Sequence, residues 1–163
     1  MQRPKLILRV AGLICAAVVL ASSLHAQQPV LYGNPIPLAK AKAVAAAALA
    51  EAGKNGWLMA VTVVGPSGEL VFFEKMDGTQ IGSIDLSMAK ARSAVLFKRP
   101  TKVFEDAVAA GGSGVRILKI PGAMPVDGGV PIVENGKIVG AVGVSGGQSS
   151  QDGQCANAAA LVH

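Results

Sequence analysis

Histidine and cysteine are scarce in this chain, which contains two of each. His25 and His163 lie near opposite ends of the chain, and so do Cys15 and Cys155. Zinc sites are built from several cysteines and histidines at short spacings, so the sequence predicts no zinc site. The acidic residues are dispersed and show no calcium or magnesium loop, and the sequence therefore assigns no metal ligand.

Aromatic residues make up 4% of the chain and charged residues 15%. Nucleic-acid-binding domains combine clustered basic residues with aromatic platforms, and that combination is absent, so we expect no nucleic-acid partner. Alanine, glycine and valine predominate instead, and such small side chains pack closely but bury little apolar area each. A core of this kind gains stability when copies associate, and we expect a homo-oligomer.

The first residues have the composition of an export signal. Three basic residues, an apolar run and a small residue at the expected cleavage site follow one another: Arg3, Lys5, Arg9, Val10–Leu20 and Ala26. This order predicts a secretory signal peptide over residues 1–26, and the apolar run is too short to span a bilayer comfortably. We expect a secreted or periplasmic domain over residues 27–163, with no membrane span after cleavage.

Removal of residues 1–26 changes the charge balance and the cysteine inventory. The 15 basic residues fall to 12 against 10 acidic ones, so the strongly basic character belongs to the signal segment. Cys155 becomes the one remaining cysteine, which excludes an internal disulfide and favours a buried thiol on an apolar helix.

Hydrophobic periodicity predicts one domain with the order α-β-β-α-α-β-β-α. The expected helices cover residues 39–52, 83–97, 101–109 and a last segment that starts at Ser149 or Ser150 and ends at Leu161; the expected strands cover residues 58–64, 69–76, 130–133 and 137–144. Residues 115–120 fit a short helix or a strand equally well. Two hairpins with helices packed on them indicate an α+β fold with an antiparallel sheet.

The second hairpin has the clearest local signal. Asn135-Gly136 separates two apolar runs, and this dipeptide favours the type I′ turn of twisted antiparallel strands. Because proline cannot adopt the positive φ of that turn, we expect Asn135→Pro to damage folding far more than Asp152→Ala.

The segment Ser83–Phe97 predicts an amphipathic helix. Its apolar stripe at helical spacing consists of Ile84, Met88, Ala91 and Val95. Lys90 and Arg92 lie off this stripe, which favours either a solvated face or contacts with an anion.

Gly143–Gly147 matches the G-x-S-x-G pattern of hydrolases, and Asp152 and His163 follow Ser145 in the hydrolase order. The pattern follows an antiparallel hairpin rather than a parallel strand, and His163 is the chain terminus, where fraying is common. A tight glycine-serine turn explains the pattern better, so no catalytic residue is predicted.

Several motifs occur together in a characteristic order. They are Lys75-Met76-Asp77-Gly78, then Ala89-Lys90-Ala91 followed by Phe97 and Pro100-Thr101, then Gly128-Gly129-Val130-Pro131-Ile132, and finally the glycine-rich run Gly140–Gly147. Their order and spacing resemble the GlcG/HbpS-like family, which includes haem-binding proteins and the C-terminal domain of PduO-type cobalamin adenosyltransferases. The resemblance begins at about Leu38 and continues to the C-terminus. Gly65 and Gly153 depart from it, because the family usually has an acidic residue at each position.

The resemblance implies a profilin-like sheet and a small-molecule ligand, with haem or a related tetrapyrrole as the expected cofactor. The expected ligand-binding residues are Lys75, Met76, Asp77, Lys90, Arg92, Thr101, Met124 and Ser145. A cationic side chain can pair with a haem carboxylate, and a methionine sulfur can ligate haem iron. Three alternatives remain open: an enzyme acting on a small organic acid, an accessory protein with the same substrate, and a structural subunit without a ligand.

Overall fold

The computed structural model describes residues 30–162, so the predicted signal peptide and His163 lie outside the described residues. The strands are β1 (Leu31–Tyr32), β2 (Ala60–Val64), β3 (Leu70–Lys75), β4 (Gly129–Glu134) and β5 (Lys137–Ser145). The α-helices are α1 (Leu38–Lys54), α2 (Ser83–Leu96), α3 (Lys102–Ala109) and α4 (Ser149–Ala160), and a 3₁₀ helix covers Gly112–Lys119. The predicted α+β order is confirmed, and the segment that fitted helix and strand equally well is part of the 3₁₀ helix. Within residues 30–162 no helix has the length and apolar character needed to cross a membrane.

The strands form one mixed sheet around β5. Both predicted hairpins are present, β2 with β3 and β4 with β5, and β2 also pairs antiparallel with β5. The expectation of a purely antiparallel sheet is wrong, because β1 pairs parallel with β5 through Leu31 opposite Lys137 and Tyr32 opposite Ile138. Two residues are too few to show a periodic pattern, so this strand had no recognisable sequence signal.

Helices cover both faces of the sheet. On one face α1 and α4 pack over Val61, Val63 and Val144, and Cys155 is fully buried in the same cluster. On the other face α2 packs over Val64, Ile138 and Ala141. Burial raises the pKa of the Cys155 thiol to about 11, which agrees with the predicted buried cysteine.

The β4–β5 turn has the predicted geometry. Asn135 has φ 49° and Gly136 has φ 72°, and two positive φ values in succession define a type I′ turn. We expect Asn135→Pro to lower the free energy of unfolding by more than about 1 kcal/mol, because proline cannot reach this conformation. Asn135→Gly, which accepts positive φ, is the matched control in urea unfolding, and equal losses in the two variants would contradict the role assigned to φ.

The α2 helix buries a different face from the one that its apolar stripe predicts. Ala91 and Val95 are buried as expected, but Ile84 is 38% exposed and Met88 is only half-buried. The buried face contains Ser83, Ser87, Lys90 and Ser93 instead. These polar side chains point inward because they form hydrogen bonds with buried groups; for example, the Thr62 and Ser87 hydroxyls lie 2.8 Å apart.

A glycine in β5 permits this close packing. A Cβ atom at Gly143 would lie 2.0 Å from the Ser87 carbonyl oxygen and 2.5 Å from the Ala91 nitrogen. The α2 backbone therefore rests directly on the sheet, at a distance that only glycine allows.

The start of α4 also differs from the expectation. Gln148, rather than Ser149 or Ser150, is the N-cap residue, and the Gln151 side chain accepts the Gln148 N–H at 2.9 Å. The Ser149 hydroxyl instead accepts the Asp127 N–H at 2.9 Å and bonds to Glu105.

Candidate ligand site on the outer face of α2

A pocket of about 440 Å³ lies on the face of α2 that points away from the sheet. Its lining comprises Asp85, Met88, Ala89, Arg92, Leu96 and the loop Gly122–Met124. The volume falls within the range of about 300–1,000 Å³ that is typical of small-molecule sites, and a mostly apolar lining with a few charged groups is typical of them as well.

The loop beside α2 is held by a backbone contact. The Met124 N–H donates to the Ser93 hydroxyl at 2.9 Å, and Gly122 turns the chain with φ 81°. These two features place the Met124 side chain along the same groove as Met88, although the residues are distant in sequence.

Arg92 supplies a cation to this pocket. Its Nε donates to the Gly68 carbonyl oxygen at 3.0 Å, which fixes the guanidinium against the β2–β3 turn. Within the described part of the chain this is the one hydrogen bond of Arg92, so both Nη groups remain available to an anion. A guanidinium held in this way is suited to bidentate binding of a carboxylate.

Two methionines, Met88 and Met124, belong to the lining. Both residues are partly buried, and thioethers are ligands of haem iron and of other soft metal centres. No histidine occurs among residues 30–162, so a soft ligand from this part of the chain comes from sulfur.

Lys90 lies on the opposite side of α2 from the pocket. Its side chain is fully buried, and its Nζ lies 2.6 Å from an Asp152 carboxylate oxygen. The same ammonium donates to the Val144 carbonyl oxygen at 3.1 Å. Lys90 is therefore on neither a solvated face nor an exposed anion-binding face, and the expectation of surface exposure is wrong.

Asp152 completes this buried network. Its second oxygen accepts the Gly147 N–H at 3.0 Å. Burial raises the pKa of the Asp152 carboxyl above its ordinary value, while the Lys90 ammonium opposes that shift. The network ties α2, β5 and α4 together, and its two charged side chains, Lys90 and Asp152, are buried.

Thr101 and Ser145 are buried as well. The Thr101 hydroxyl accepts the Gly129 N–H at 2.9 Å; Thr101 is the N-cap residue of α3, but its side chain makes no capping hydrogen bond there. The Ser145 hydroxyl donates to the Ser83 hydroxyl at 3.2 Å. With Ser145 and Asp152 both engaged elsewhere, the hydrolase-like pattern gains no support, and His163 lies outside the described residues.

The Lys75–Gly78 motif forms the end of β3 and the following turn. The Met76 sulfur accepts the Met59 N–H at 3.4 Å, and Lys75 Nζ donates to the Met76 carbonyl oxygen at 3.2 Å. Asp77 is exposed. None of these residues lines the α2 pocket, so the predicted site residues that the structure brings together there are Arg92 and Met124.

Gly65 and Gly153, the two positions at which this chain departs from the family pattern, each lie next to the carboxylate of another residue. A Cβ at Gly65 would lie 2.0 Å from a Glu69 carboxylate oxygen, and one at Gly153 would lie 2.0 Å from an Asp127 oxygen. Acidic groups therefore occupy the neighbourhood of both positions in this chain.

Sequence reasoning missed Asp85, Met88 and Leu96 as pocket residues. Met88 fitted the apolar stripe and was assigned to the core; it does pack against the core cluster that contains Ala91 and Val95, but it is only half-buried and also lines the pocket. A second pocket, of about 500 Å³, lies between the segment Tyr32–Pro37 and the β4–β5 turn and contains none of the predicted site residues.

Known proteins that are similar to this chain in sequence and in structure support the fold described above. GlcG of Escherichia coli K12 is 40% identical over 105 residues, which cover 64% of this chain and 77% of GlcG. The crystal structure of Klebsiella pneumoniae ORFY has a TM-score of 0.73 at 32% identity, covering 78% of this chain and 90% of ORFY. A double mutant of HbpS from Streptomyces reticuli has a TM-score of 0.72 at 30% identity, covering 80% and 90%. The family described as "Haem degrading protein HbpS-like" matches residues 36–161, and this chain therefore belongs to the HbpS-like family.

Proposed function

We propose that this protein is an exported domain that binds haem or a related tetrapyrrole in the pocket on the outer face of α2. The observation that carries the proposal is that Arg92 and two methionines, Met88 and Met124, line one largely apolar groove. The haem named in the family description supports the choice of ligand class.

The groove fits the chemistry of a tetrapyrrole at three points. The apolar ring face is matched by Met88, Leu96 and Ala123, which line the groove. A haem carboxylate is matched by the Nη groups of Arg92, and the thioethers supply ligands that iron accepts. Haem bound here brings an iron centre, while the chain itself binds and orients the ring.

A haem titration followed by absorbance tests this proposal. We expect a Soret band with the parent protein and a loss of about 10–150-fold in affinity for Arg92→Gln, because a charge-assisted contact contributes about 1.5–3 kcal/mol. Lys54→Gln is the matched control, since Lys54 is an exposed cation at the end of α1 whose partner is Glu51. Equal affinities of the two variants would place the carboxylate contact elsewhere.

The methionines are tested separately by their effect on the spectrum. Met88→Leu and Met124→Leu keep the apolar volume but remove sulfur, so the variant that loses the iron ligand is expected to shift the Soret band. Met76→Leu is the control, because the Met76 sulfur contacts Met59 outside the pocket. A small organic acid as the true ligand would instead give binding that depends on Arg92 but on neither methionine, with no Soret band.

Export is tested independently of the ligand. N-terminal sequencing of secreted or periplasmic protein is expected to show a start near Gln27, because of the basic and apolar regions before it. Cytoplasmic protein that starts at Met1 would contradict the export part of the proposal.

A further inference from the structure

We infer that the 3₁₀ helix Gly112–Lys119 is a docking surface for an anionic lipid bilayer. No residue of this helix is fully buried. Val115 is 47% exposed and Leu118 is 61% exposed, and the exposed cations Arg116 and Lys119 lie beside them in the sequence. Exposed apolar surface that is bordered by polar groups is typical of interaction sites.

The geometry of a 3₁₀ helix separates the side chains of this segment into rows. Three residues complete one turn, so residues three apart in sequence lie on the same side of the helix. The three rows contain Gly114 with Ile117, Val115 with Leu118, and Arg116 with Lys119. The row of Gly114 rests on α3, because a Cβ added at Gly114 would overlap the Ala107 carbonyl oxygen. The apolar row and the cationic row are therefore adjacent, and both face away from α3.

This surface carries positive charge only. The sequence from Ala107 to Val126 contains no acidic residue, and its two charged residues are Arg116 and Lys119. The acidic residues that border the segment are engaged or buried, since Asp106 pairs with Lys102 and Asp127 is 7% exposed. Among residues 30–162, Arg116 and Lys119 form no ion pair with any carboxylate. Both cations are thus available to an external anion.

The charge and the apolar row together identify the partner as an anionic bilayer. Segments that bind at a membrane surface place basic side chains beside apolar ones, so that the cations meet the headgroups while the apolar groups enter the acyl boundary. Val115 and Leu118 supply the apolar part of such a contact, and Arg116 and Lys119 supply the charge. Ile120, which is 42% exposed, extends the apolar surface at the end of the helix.

Two other occupants complement this surface only in part. A second copy that docked through the same face would place Arg116 and Lys119 against an equally positive surface without a carboxylate to pair them. A hydrophilic polyanion such as a nucleic acid would pair the cations but would leave the apolar row in water. An anionic bilayer complements both rows at once.

Co-sedimentation with lipid vesicles tests the inference independently of haem, because none of the residues in the two outward rows lines the α2 pocket. The protein used begins at Gln27, since the apolar run within residues 1–26 would bind lipid by itself and every described helix and strand follows it. The parent protein is expected to bind vesicles of equal parts phosphatidylglycerol and phosphatidylcholine, and to bind pure phosphatidylcholine vesicles at least about 30-fold more weakly. Arg116→Gln/Lys119→Gln is expected to lower the partition coefficient on the mixed vesicles about 30-fold, because one basic residue near an anionic surface contributes roughly fivefold.

The apolar row is tested by a separate substitution. Leu118→Ser is expected to lower the partition coefficient at least about 10-fold, because it removes a side chain that would leave water on binding. Leu161→Ser is the matched apolar control, since Leu161 is 71% exposed after α4. Lys42→Gln/Lys54→Gln is the matched charge control, because it removes two exposed cations from α1. Both controls are expected to bind like the parent protein, and thermal midpoints of all variants are expected to stay near that of the parent, because the substituted side chains are exposed.

Four results would overturn the inference. They are no binding of the parent to the mixed vesicles, equal binding to both vesicle types, parent-like binding by Arg116→Gln/Lys119→Gln, and parent-like binding by Leu118→Ser. Sedimentation velocity without lipid provides a further check, because a loss of self-association in Leu118→Ser would show that another copy of the chain covers this surface and would also overturn the inference.

Discussion

Asp152→Ala is expected to lower the free energy of unfolding by about 3–5 kcal/mol, because it leaves the Lys90 ammonium buried without its counter-charge. The Lys90 side chain has no exposed surface, and its Nζ lies 2.6 Å from the carboxylate that the substitution removes. The variant also removes the acceptor of the Gly147 N–H. This expectation reverses the one drawn from the sequence, in which Asn135→Pro was the more damaging change.

Two comparisons isolate the buried charge as the cause. Asp77→Ala removes an acidic residue from an exposed turn and is expected to change stability by less than about 0.5 kcal/mol. The double variant Lys90→Met/Asp152→Ala removes both charges and is expected to recover part of the loss, since apolar replacement of a buried pair is often well tolerated. Urea unfolding measures all three variants, and an Asp152→Ala midpoint equal to that of Asp77→Ala would refute the role of the pair.

The second large effect is expected at Gly143. In Gly143→Ala the new methyl group would lie 2.0 Å from the Ser87 carbonyl oxygen and 2.9 Å from the Ala91 Cβ. Neither atom belongs to a flexible side-chain end, so α2 must move away from the sheet. Overpacking of this kind costs about 1–3 kcal/mol, and backbone displacement brings the effect to the upper end of that range.

Gly53→Ala is the matched control with the opposite sign. Gly53 lies in α1, and no atom within 4 Å would contact its new Cβ. Alanine there restricts the unfolded chain and is expected to raise stability by about 0.4–1 kcal/mol. Thermal unfolding of both variants measures the difference, and a loss of equal size at both positions would show that steric contact with α2 is not the cause at Gly143.

Local signals in the sequence predicted most elements of the fold. The alanine-rich α1, both hairpins and the Asn135-Gly136 turn were identified because each depends on propensity or on backbone conformation within a few residues. The motifs around Lys75 and Gly140–Gly147 likewise indicated the family.

The inward face of α2 was decided only by tertiary structure. Periodicity assigns apolar residues to the core, but Lys90 is inside because Asp152, 62 residues away in sequence, meets it there. Ser83 and Ser87 are inside because Ser145 and Thr62 supply hydroxyl partners. These hydrogen-bond partners belong to segments that are distant in sequence, so no local sequence pattern predicts the pairing.

The burial of the polar face of α2 also decided where the candidate site lies. With the polar face of α2 directed into the sheet, Leu96 lies outside and the half-buried Met88 lines the groove near Arg92, together with the loop of Met124. The sequence by itself determined which elements form and which family they belong to. Only the tertiary structure decided which of its methionines and cations share a surface, because that depends on contacts between residues far apart in the chain.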